Sequence, residues 1–498
     1  MLRFYFSGHN FEYEARNALR VFDLNIDYDV KNMDAEEPDY QCEYSLVSTL
    51  EEQEGAYIST AVLYRKNEKI HEKSFKSYEI ILEKENDRKM KKTLVTKSIH
   101  NVLKSHYSIV PDYGILTGVR VVKILIASRQ YGRSDSEITR ILKNTYEVTD
   151  EKIELLWDIL NIEEKYINEK MNKENYNLYI GIPFCPTKCS YCSFTSFINC
   201  GQKKIYDYVD VLVKEIHATI KMAKDRNLKL HSVYIGGGTP SVLNIEQIDK
   251  LFAAIKSHYD LNSIREITFE AGRPDTITLE KLQCLKNNKV TRISINPQSM
   301  NEKTLLSMGR NHNTEDILEK YHLARNIGFD CINMDIILGL PGENEEDALN
   351  TIEKVVNLKP ENITVHSLAY KKNAELTRES SQYLKDYNLM RLMHDEVGES
   401  CRKNGYKPYY MYRQKNIKGN SENVGYCLPA KESIYNMIII EELETILACG
   451  IGGSSKIMTE NNHHEPLRNF KSLEEYISRI DEILEKKKNL LNSSLEGI

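Results

Sequence analysis

No run of about 18 or more apolar residues occurs in the sequence, so no membrane-spanning helix is expected. There is no charged-then-apolar leader either, which argues against export and for a cytoplasmic protein. Neither sign of charge dominates. The balance of 67 Lys+Arg against 73 Asp+Glu leaves a formal charge of -6, too mild for wholesale nucleic-acid binding or a strongly acidic surface. Ten cysteines in 498 residues are too few for a disulfide scaffold, and a cluster of three among them fits a metal site better. What is present, 41% hydrophobic and 28% charged residues, describes a globular chain with more than one core.

The stretch that organises the rest is Leu178 to Phe194, a short apolar strand running into a loop that holds Cys185, Cys189 and Cys192. A C-x3-C-x2-C spacing sets three thiolates around one corner of a cubane iron–sulfur cluster and leaves one iron open to an exogenous ligand. A structural zinc site is the competing reading. It needs four ligands, usually from paired knuckles, and no second cysteine pair follows here.

Residues 1–165 read as an α+β domain. Arg3 to Phe6, Ala56 to Tyr64 and Tyr78 to Leu82 read as strands, and Glu12 to Phe22 as an amphipathic helix. A helix over Asp87 to His106 carries Arg88, Lys89, Lys91, Lys92, Lys97 and Lys104, which form either a solvated face or a surface for an anionic partner. Ser134 and Glu137 form a capping box that opens a helix over Ile138 to Tyr146. Lys170 to Asn177 reads as a linker. From Leu178 short β-rich runs alternate with longer amphipathic segments. The strands are Leu178–Ile182, Ser232–Ile235, Glu266–Phe269, Thr291–Ile295, Cys331–Ile337 and Asn362–Val365. Such alternation implies a parallel sheet flanked by helices, and six units leave a barrel partly open. In barrels of this kind chemistry sits at the C-terminal strand ends. Those ends carry the cysteine loop, Gly236-Gly237-Gly238-Thr239, Glu270, Asn296-Pro297-Gln298 and Asp335. Glycines there let backbone groups approach a ligand, and an acid in so apolar a strand is costly unless it is paired or ligand-bound.

With those motifs in place, residues 178–460 resemble the oxygen-independent coproporphyrinogen III dehydrogenase family of radical S-adenosylmethionine (SAM) enzymes, in the branch with an extra N-terminal domain. The resemblance implies an α/β fold built on a partial (β/α)6 radical SAM barrel at 170–382. An N-terminal α+β domain occupies 1–165, and a C-terminal capping region that covers substrate occupies 383–498. It implies a [4Fe-4S] cluster on Cys185, Cys189 and Cys192, with SAM at the open iron. Tyr179 and Tyr191 match aromatic positions beside SAM and the cluster. Gly237, Gly238 and Thr239 match the motif that receives the SAM amino end, with Glu270 its acidic partner. Gln298, Arg310 and Asp335 match polar SAM contacts, and Ala369 a backbone position near the adenine.

The implied reaction is decarboxylation of two propionates of coproporphyrinogen III to vinyl groups. The hydrogen is taken by a 5'-deoxyadenosyl radical, so no catalytic side chain is nominated. The implied partners are a tetrapyrrole substrate, an electron donor such as flavodoxin or ferredoxin and an unspecified electron acceptor. No nucleic-acid partner is expected. Two departures stand out. Phe194 replaces the fourth cysteine of the best-known dehydrogenases, and Gly181 a histidine of the preceding strand. Related haem chaperones carry a His-Asn-x-x-Tyr-Trp motif, where this chain has Glu422-Asn423-Val424-Gly425-Tyr426-Cys427. Another radical SAM tetrapyrrole enzyme and a haem-trafficking chaperone are therefore the alternatives, with RNA modification a third that rests only on the basic helix at 87–106. Tyr410, Tyr412, Arg413, Lys415 and Lys456 are candidates either for contact with a tetrapyrrole carboxylate or for ordinary packing.

Overall fold

The computed structural model describes residues 2–22, 28–33, 42–82, 86–118, 120–170, 173–194, 196–198, 200–371, 374, 376, 383–459 and 464–494. The chain divides into two compact units. One comprises Met1–Leu160, Arg378–Arg391 and Tyr412–Glu422; the other comprises Asn161–Thr377, Leu392–Met411 and Asn423–Ile498. The stretch from 383 to 498 is thus shared between them. Among the described residues no helix is long and apolar enough to cross a membrane.

In the first unit β1 (Leu2–Ser7), β2 (Tyr28–Asn32), β3 (Tyr44–Gln53), β4 (Ala56–Arg65) and β5 (Glu68–Lys76) form one sheet in the order β2-β1-β3-β4-β5. β1 runs parallel to β2 and β3, and β3, β4 and β5 make an antiparallel meander. Helices α1 (Glu12–Phe22) and α2 (Asp87–Tyr107) supply the other half of the core. Phe4, Leu46 and Leu63 from the strands meet Leu19 and Phe22 of α1 and Val95, Ile99 and Val102 of α2. Each such burial stabilises the unit by about 1.5–3 kcal/mol. Next come α3 (Val122–Gln130), α4 (Asp135–Arg140) and α5 (Asp150–Lys170). The Ser134/Glu137 capping box opens α4 as its spacing implies.

The expected strand over Tyr78–Leu82 is not formed. Ser77–Glu79 is a helical turn instead, closed when Glu79 accepts the Lys76 N–H at 2.5 Å, and Tyr78 is left 71% exposed. Ile81 then exchanges hydrogen bonds with the Thr145 hydroxyl at 3.0 Å, a side-chain substitute for strand pairing. The basic helix is solvated only in part: Arg88 and Lys92 are exposed, but other cations are taken up within the unit. Lys97 is buried against Glu147 at 3.2 Å, Lys104 reaches the same carboxylate at 3.3 Å, and Lys92 pairs with Glu14 at 2.8 Å.

The second unit opens with β6 (Asn175–Ile182). Residues 171 and 172 of the expected linker lie outside the described residues. Then follow β7 (Phe184–Cys185), β8 (Phe197–Ile198), α6 (Gln202–Lys224), β9 (Lys229–Gly237), α7 (Ile245–Lys256), β10 (Glu266–Gly272), α8 (Leu279–Asn287), β11 (Arg292–Ile295), α9 (Glu302–Ser307), α10 (Thr314–Ile327), β12 (Ile332–Leu338), α11 (Glu345–Leu358) and β13 (Asn362–Ser367). Strands β6, β9, β10, β11, β12 and β13 stand side by side in chain order, every pair parallel. These are the six strands that the alternation predicts. Helices cover them, so their sequences are near-continuous apolar runs. Asn244, Asn313 and Asn344 start α7, α10 and α11 through capping boxes that satisfy otherwise orphaned amides.

The chain continues through α12 (Tyr383–Lys403), β14 (Lys407–Tyr412), β15 (Asn423–Cys427), α13 (Ile434–Glu441), β16 (Thr445–Cys449), β17 (Ser454–Met458), β18 (His464–Arg468), α14 (Leu473–Ser478) and α15 (Ile480–Ser494). Its strands extend the parallel set at both edges. β15 pairs antiparallel with β13, and β16 pairs parallel with β6. The sheet stays open, in the order β14-β15-β13-β12-β11-β10-β9-β6-β16-β17-β18.

Candidate active site

The cysteine loop leaves the C-terminal end of β6 and is closed at its base by the two-residue ladder of β7 with β8. Phe197 N–H donates to Pro183 O at 2.7 Å, and Cys192 N–H to Cys189 O at 3.0 Å. The far side of the loop hangs on the turn after α9. Ser190 N–H donates to Met308 O at 3.2 Å and the Thr187 hydroxyl to Gly309 O at 3.2 Å. Cys189 is buried and the other two thiols are partly buried. Burial raises the pKa of Cys185 and Cys192, and the neighbouring cysteines add to the rise. Among the described residues no three His, Cys, Asp or Glu side chains converge tightly enough for one metal ion. Three thiols in one loop suit a cubane, which takes one sulfur ligand on each of three irons, better than a structural zinc, which takes four ligands.

Behind the loop the glycines at the end of β9 hold open a space that side chains would fill. A Cβ on Gly238 would lie 2.7 Å from Phe184 O and 3.0 Å from Cys185 Sγ. Gly237 adopts φ +114, a conformation that glycine alone takes readily, and its N–H donates to Glu270 Oε2 at 3.1 Å. The Thr239 hydroxyl donates to Cys185 Sγ at 3.4 Å. Glu270, at the end of β10, also accepts the Tyr234 hydroxyl through Oε1. Its pKa is pushed up to about 7, chiefly by burial and further by Asp335.

Asp335 behaves oppositely. Burial works to raise its pKa, but His366, Asn333 and Thr364 together hold it below the usual carboxylate value. Asn333 Nδ2 donates to it at 2.7 Å, and His366 Nε2 stands 3.7 Å away. Gln298 reaches the same strand, its N–H donating to Asp335 O at 2.9 Å while its Oε1 is a buried acceptor with no partner. Arg310 donates to Asn296 O at 2.7 Å and to the Tyr191 hydroxyl at 3.4 Å, and its Nε is buried without a partner. Burial opposes its charge, but Tyr191 and Cys189 keep its pKa raised.

The structure therefore joins most of the expected positions in one chain of contacts. Cys185 meets Gly238 and Thr239, and Cys189 lies beside Tyr191 and Arg310. Gly237 bridges Tyr179 and Glu270, and Glu270 senses Asp335 beside Gln298. Ala369 follows the end of β13 at the same end of the sheet, but no contact ties it to the others. Three residues of this region are not apparent in the sequence. Arg273 lies 3.9 Å from Cys189 Sγ through Nη1, also donates to the Thr187 hydroxyl at 2.8 Å, and pairs with Asp275 at 3.0 Å. Tyr234 and Tyr435 stack with ring centroids 4.5 Å apart, and Tyr234 lies 6.2 Å from Tyr179. A period-two reading of β9 would have found Tyr234, which shares the face of Gly236. Nothing local marks Tyr435, which comes from α13.

The candidates for substrate contact behave mostly as packing residues. The Tyr410 ring occupies the space that a side chain at Gly425 would take, 1.8 Å from an ideal Cβ. Arg413 is buried and donates to Leu116 O and Asn420, and Lys456 pairs with Glu442 at 3.1 Å.

The Radical SAM superfamily profile matches residues 179–355. Over 381 residues the chain is 42% identical to the oxygen-independent coproporphyrinogen-III oxidase-like protein HemZ of Bacillus subtilis, spanning 76% of each. It is 35% identical over 199 residues to the heme chaperone HemW of Haemophilus influenzae, 40% of this chain and 52% of that one. The solved structure of coproporphyrinogen III oxidase HemN from Escherichia coli, a radical SAM enzyme, is similar with a TM-score of 0.49 and 21% identity, over 64% of this chain and 72% of that one. The chain belongs to the HemZ-like oxygen-independent coproporphyrinogen-III oxidase family of the radical SAM superfamily, whose proteins bind a [4Fe-4S] cluster and S-adenosylmethionine.

Proposed function

We propose that this protein removes carbon dioxide from two propionate side chains of coproporphyrinogen III, leaving vinyl groups and giving protoporphyrinogen IX. When bound, the cluster and SAM supply a 5'-deoxyadenosyl radical able to take a hydrogen atom from the β-carbon of a propionate. Loss of CO2 and one electron then completes each vinyl, the electron passing to an acceptor, while a donor such as flavodoxin or ferredoxin reduces the cluster. In this reading Cys185, Cys189 and Cys192 hold the cluster. The Gly237–Gly238–Thr239 backbone and Glu270 receive the cationic amino end of SAM. Arg310, with Nε buried and unpartnered, takes the methionine carboxylate, and Gln298 and Asp335 hold the rest of the cofactor near Ala369. Tyr179 and Tyr191 wall the site. The strands of 392–411 and 423–498 border the parallel set, so covering the substrate falls to them. A cytoplasmic setting suits thiols that must stay reduced.

The observation that carries the choice over a haem chaperone is the state of Glu422. Where the chaperones have their histidine, its carboxylate is 2% exposed and accepts from Lys152 Nζ at 2.7 Å. A group committed in that way is not available to a haem iron. The test is anaerobic turnover with reconstituted cluster, SAM, reductant, electron acceptor and coproporphyrinogen III, following both 5'-deoxyadenosine and porphyrin mass. Loss of two CO2 units, abolished by Cys189→Ala, is the expected result. Deoxyadenosine formed over an intact porphyrinogen would overturn the substrate assignment.

A further inference from the structure

The first unit holds a cavity of about 950 Å³ that none of the chemistry above uses. Every described residue that lines it belongs to that unit. Its charge is one-sided. Among the described residues Arg20 of α1, Arg88, Lys89 and Lys92 of α2, and Arg413 and Lys415 line it, against one carboxylate, Glu14, which already pairs with Lys92 at 2.8 Å. Three of these cations stand on the first two turns of the 21-residue α2, so the positive end of the helix adds to the same field. Lys89 shows the strain of the arrangement, its pKa lowered by burial and by Lys92 beside it.

The rest of the lining asks for something other than an anion. Tyr13, Tyr131 and Tyr146 supply ring surface. Gln414 and Asn420 also line the cavity, and in each one buried amide atom has no hydrogen-bond partner: the acceptor Gln414 Oε1 and the donor Asn420 Nδ2. Asn420 is held in place because its Oδ1 accepts from Arg413 at 2.7 Å, and Gln414 because its Nε2 lies 3.4 Å from the Tyr412 hydroxyl. Leaving such atoms unpaired is costly, and a ligand offering one donor and one acceptor would recover that cost. A donor and an acceptor side by side on a flat ring are what the edge of a nucleobase presents. A volume of this size suits a ligand of that class joined to phosphates.

We propose that this cavity binds a nucleoside phosphate, with the phosphates on Arg88, Lys89 and Lys92 and the base between the tyrosines against Gln414 and Asn420. The cavity belongs to the first unit and the cysteine loop to the second, so the cavity is a candidate for regulation of the family's reaction or for reading a nucleotide within an RNA strand.

The test uses the full-length protein with its SAM site saturated by S-adenosylhomocysteine, so that adenosine cannot enter there. Equilibrium dialysis with ATP, GTP, CTP and UTP, inorganic pyrophosphate, and a six-nucleotide RNA gives the affinities. At least one nucleotide should bind saturably and more tightly than pyrophosphate. Lys89→Ala should weaken it about tenfold or more. Gln414→Leu should flatten the preference among bases while leaving pyrophosphate binding unchanged. Tighter binding of the RNA than of any free nucleotide would assign the source of the ligand to RNA, and the reverse to the free pool. Either order supports the proposal. Equal binding of pyrophosphate and nucleotide, or nucleotide binding indifferent to Lys89→Ala, would overturn it. So would no saturable binding by a protein that still takes up S-adenosylhomocysteine, a result that leaves the proposed activity standing.

Discussion

Glu270 offers the sharpest test of the SAM assignment, because its protonation is set by the fold and must change when a cation arrives. Burial is the main cause of its pKa of about 7, against an ordinary 4.5, and nearby Asp335 adds to the shift. Below about 7 the ligand-free carboxyl is mostly neutral. The amino group of SAM interacts better with the ionised form, so binding must be linked to loss of this proton. If the bound carboxylate stays ionised throughout, affinity scales with the ionised fraction of the free protein. That fraction is about one-tenth at pH 6 and about nine-tenths at pH 8, a tenfold gain in affinity, or about 1.4 kcal/mol. At pH 7 about half a proton should be released per SAM bound.

The sign is the reverse of the ligand-free stability effect. There a raised carboxyl pKa contributes stability that is fully present below about 4.5 and lost as pH rises through about 7. Calorimetric titration of reconstituted protein with its cluster kept oxidised, in two buffers of different ionisation enthalpy, measures both affinity and proton release. The ratio of wild-type to Glu270→Gln affinity removes the titration of the cofactor's own amino group, and it should rise about tenfold from pH 6 to pH 8. A ratio that stays flat, or falls with pH, would refute the assignment of Glu270 to the cationic end of SAM.

Arg273→Gln removes a positive donor 3.9 Å from Cys189 Sγ, so the cluster's reduction potential, followed by EPR-monitored titration, should fall by about a few tens of millivolts. Gly238→Ala places a methyl 2.7 Å from Phe184 O and against Cys185, and iron content after reconstitution should drop to background while the far-UV spectrum is retained. Lys152→Met removes the cation from buried Glu422 beside Asp112, which should cost about 3–5 kcal/mol in urea unfolding. Pairing that change with Glu422→Leu should recover most of the loss, whereas recovery of none would mean that the ion pair is not the reason these residues are buried. Lys487→Met should cost a similar amount, because it strands Glu215 among buried groups.

What could be read from the sequence was what depends on near neighbours. Cys185, Cys189 and Cys192 lie within one loop, and their spacing alone carries their chemistry. That Gly238, Glu270, Gln298 and Asp335 gather at one end of the sheet was legible because βα alternation makes neighbouring strands parallel. The misread strand at Tyr78–Leu82 failed on a competing local interaction, the Glu79 carboxylate closing a turn on Lys76. The basic run on α2 was ambiguous because its partners, Glu14 and Glu147, are distant in sequence. Tyr435 had no signal for the same reason, its ring reaching Tyr234 from about 200 residues further along. Arg273 sat in plain view beside Glu270, but only the folded loop brings it to Cys189.

The stretch from 383 onward shows most clearly what pattern cannot supply. Taken alone, Cys449-Gly450-Ile451-Gly452-Gly453 is a glycine-rich turn, and a covering role was all that resemblance implied. In the fold this turn ends β16, which lies against β6, the strand that delivers the cysteine loop. Gly450 passes so close to β6 that a Cβ there would meet Gly181 O at 2.6 Å. Tyr208 donates to that same Gly181 O at 2.5 Å and accepts from Ile451 N–H at 3.3 Å. Glu215 accepts from Gly450 N–H at 2.8 Å, from Tyr476 at 2.6 Å and from Lys487 at 2.9 Å, so α6, β16, α14 and α15 are locked together under the loop. A strand at a sheet edge can slide or fray, whereas one paired on both sides cannot do so without breaking two ladders. Cluster chemistry needs its ligands held to a fraction of an ångström by rigid elements. The C-terminal strands meet that need for β6 by removing its free edge, and this is a role in the site distinct from covering a substrate.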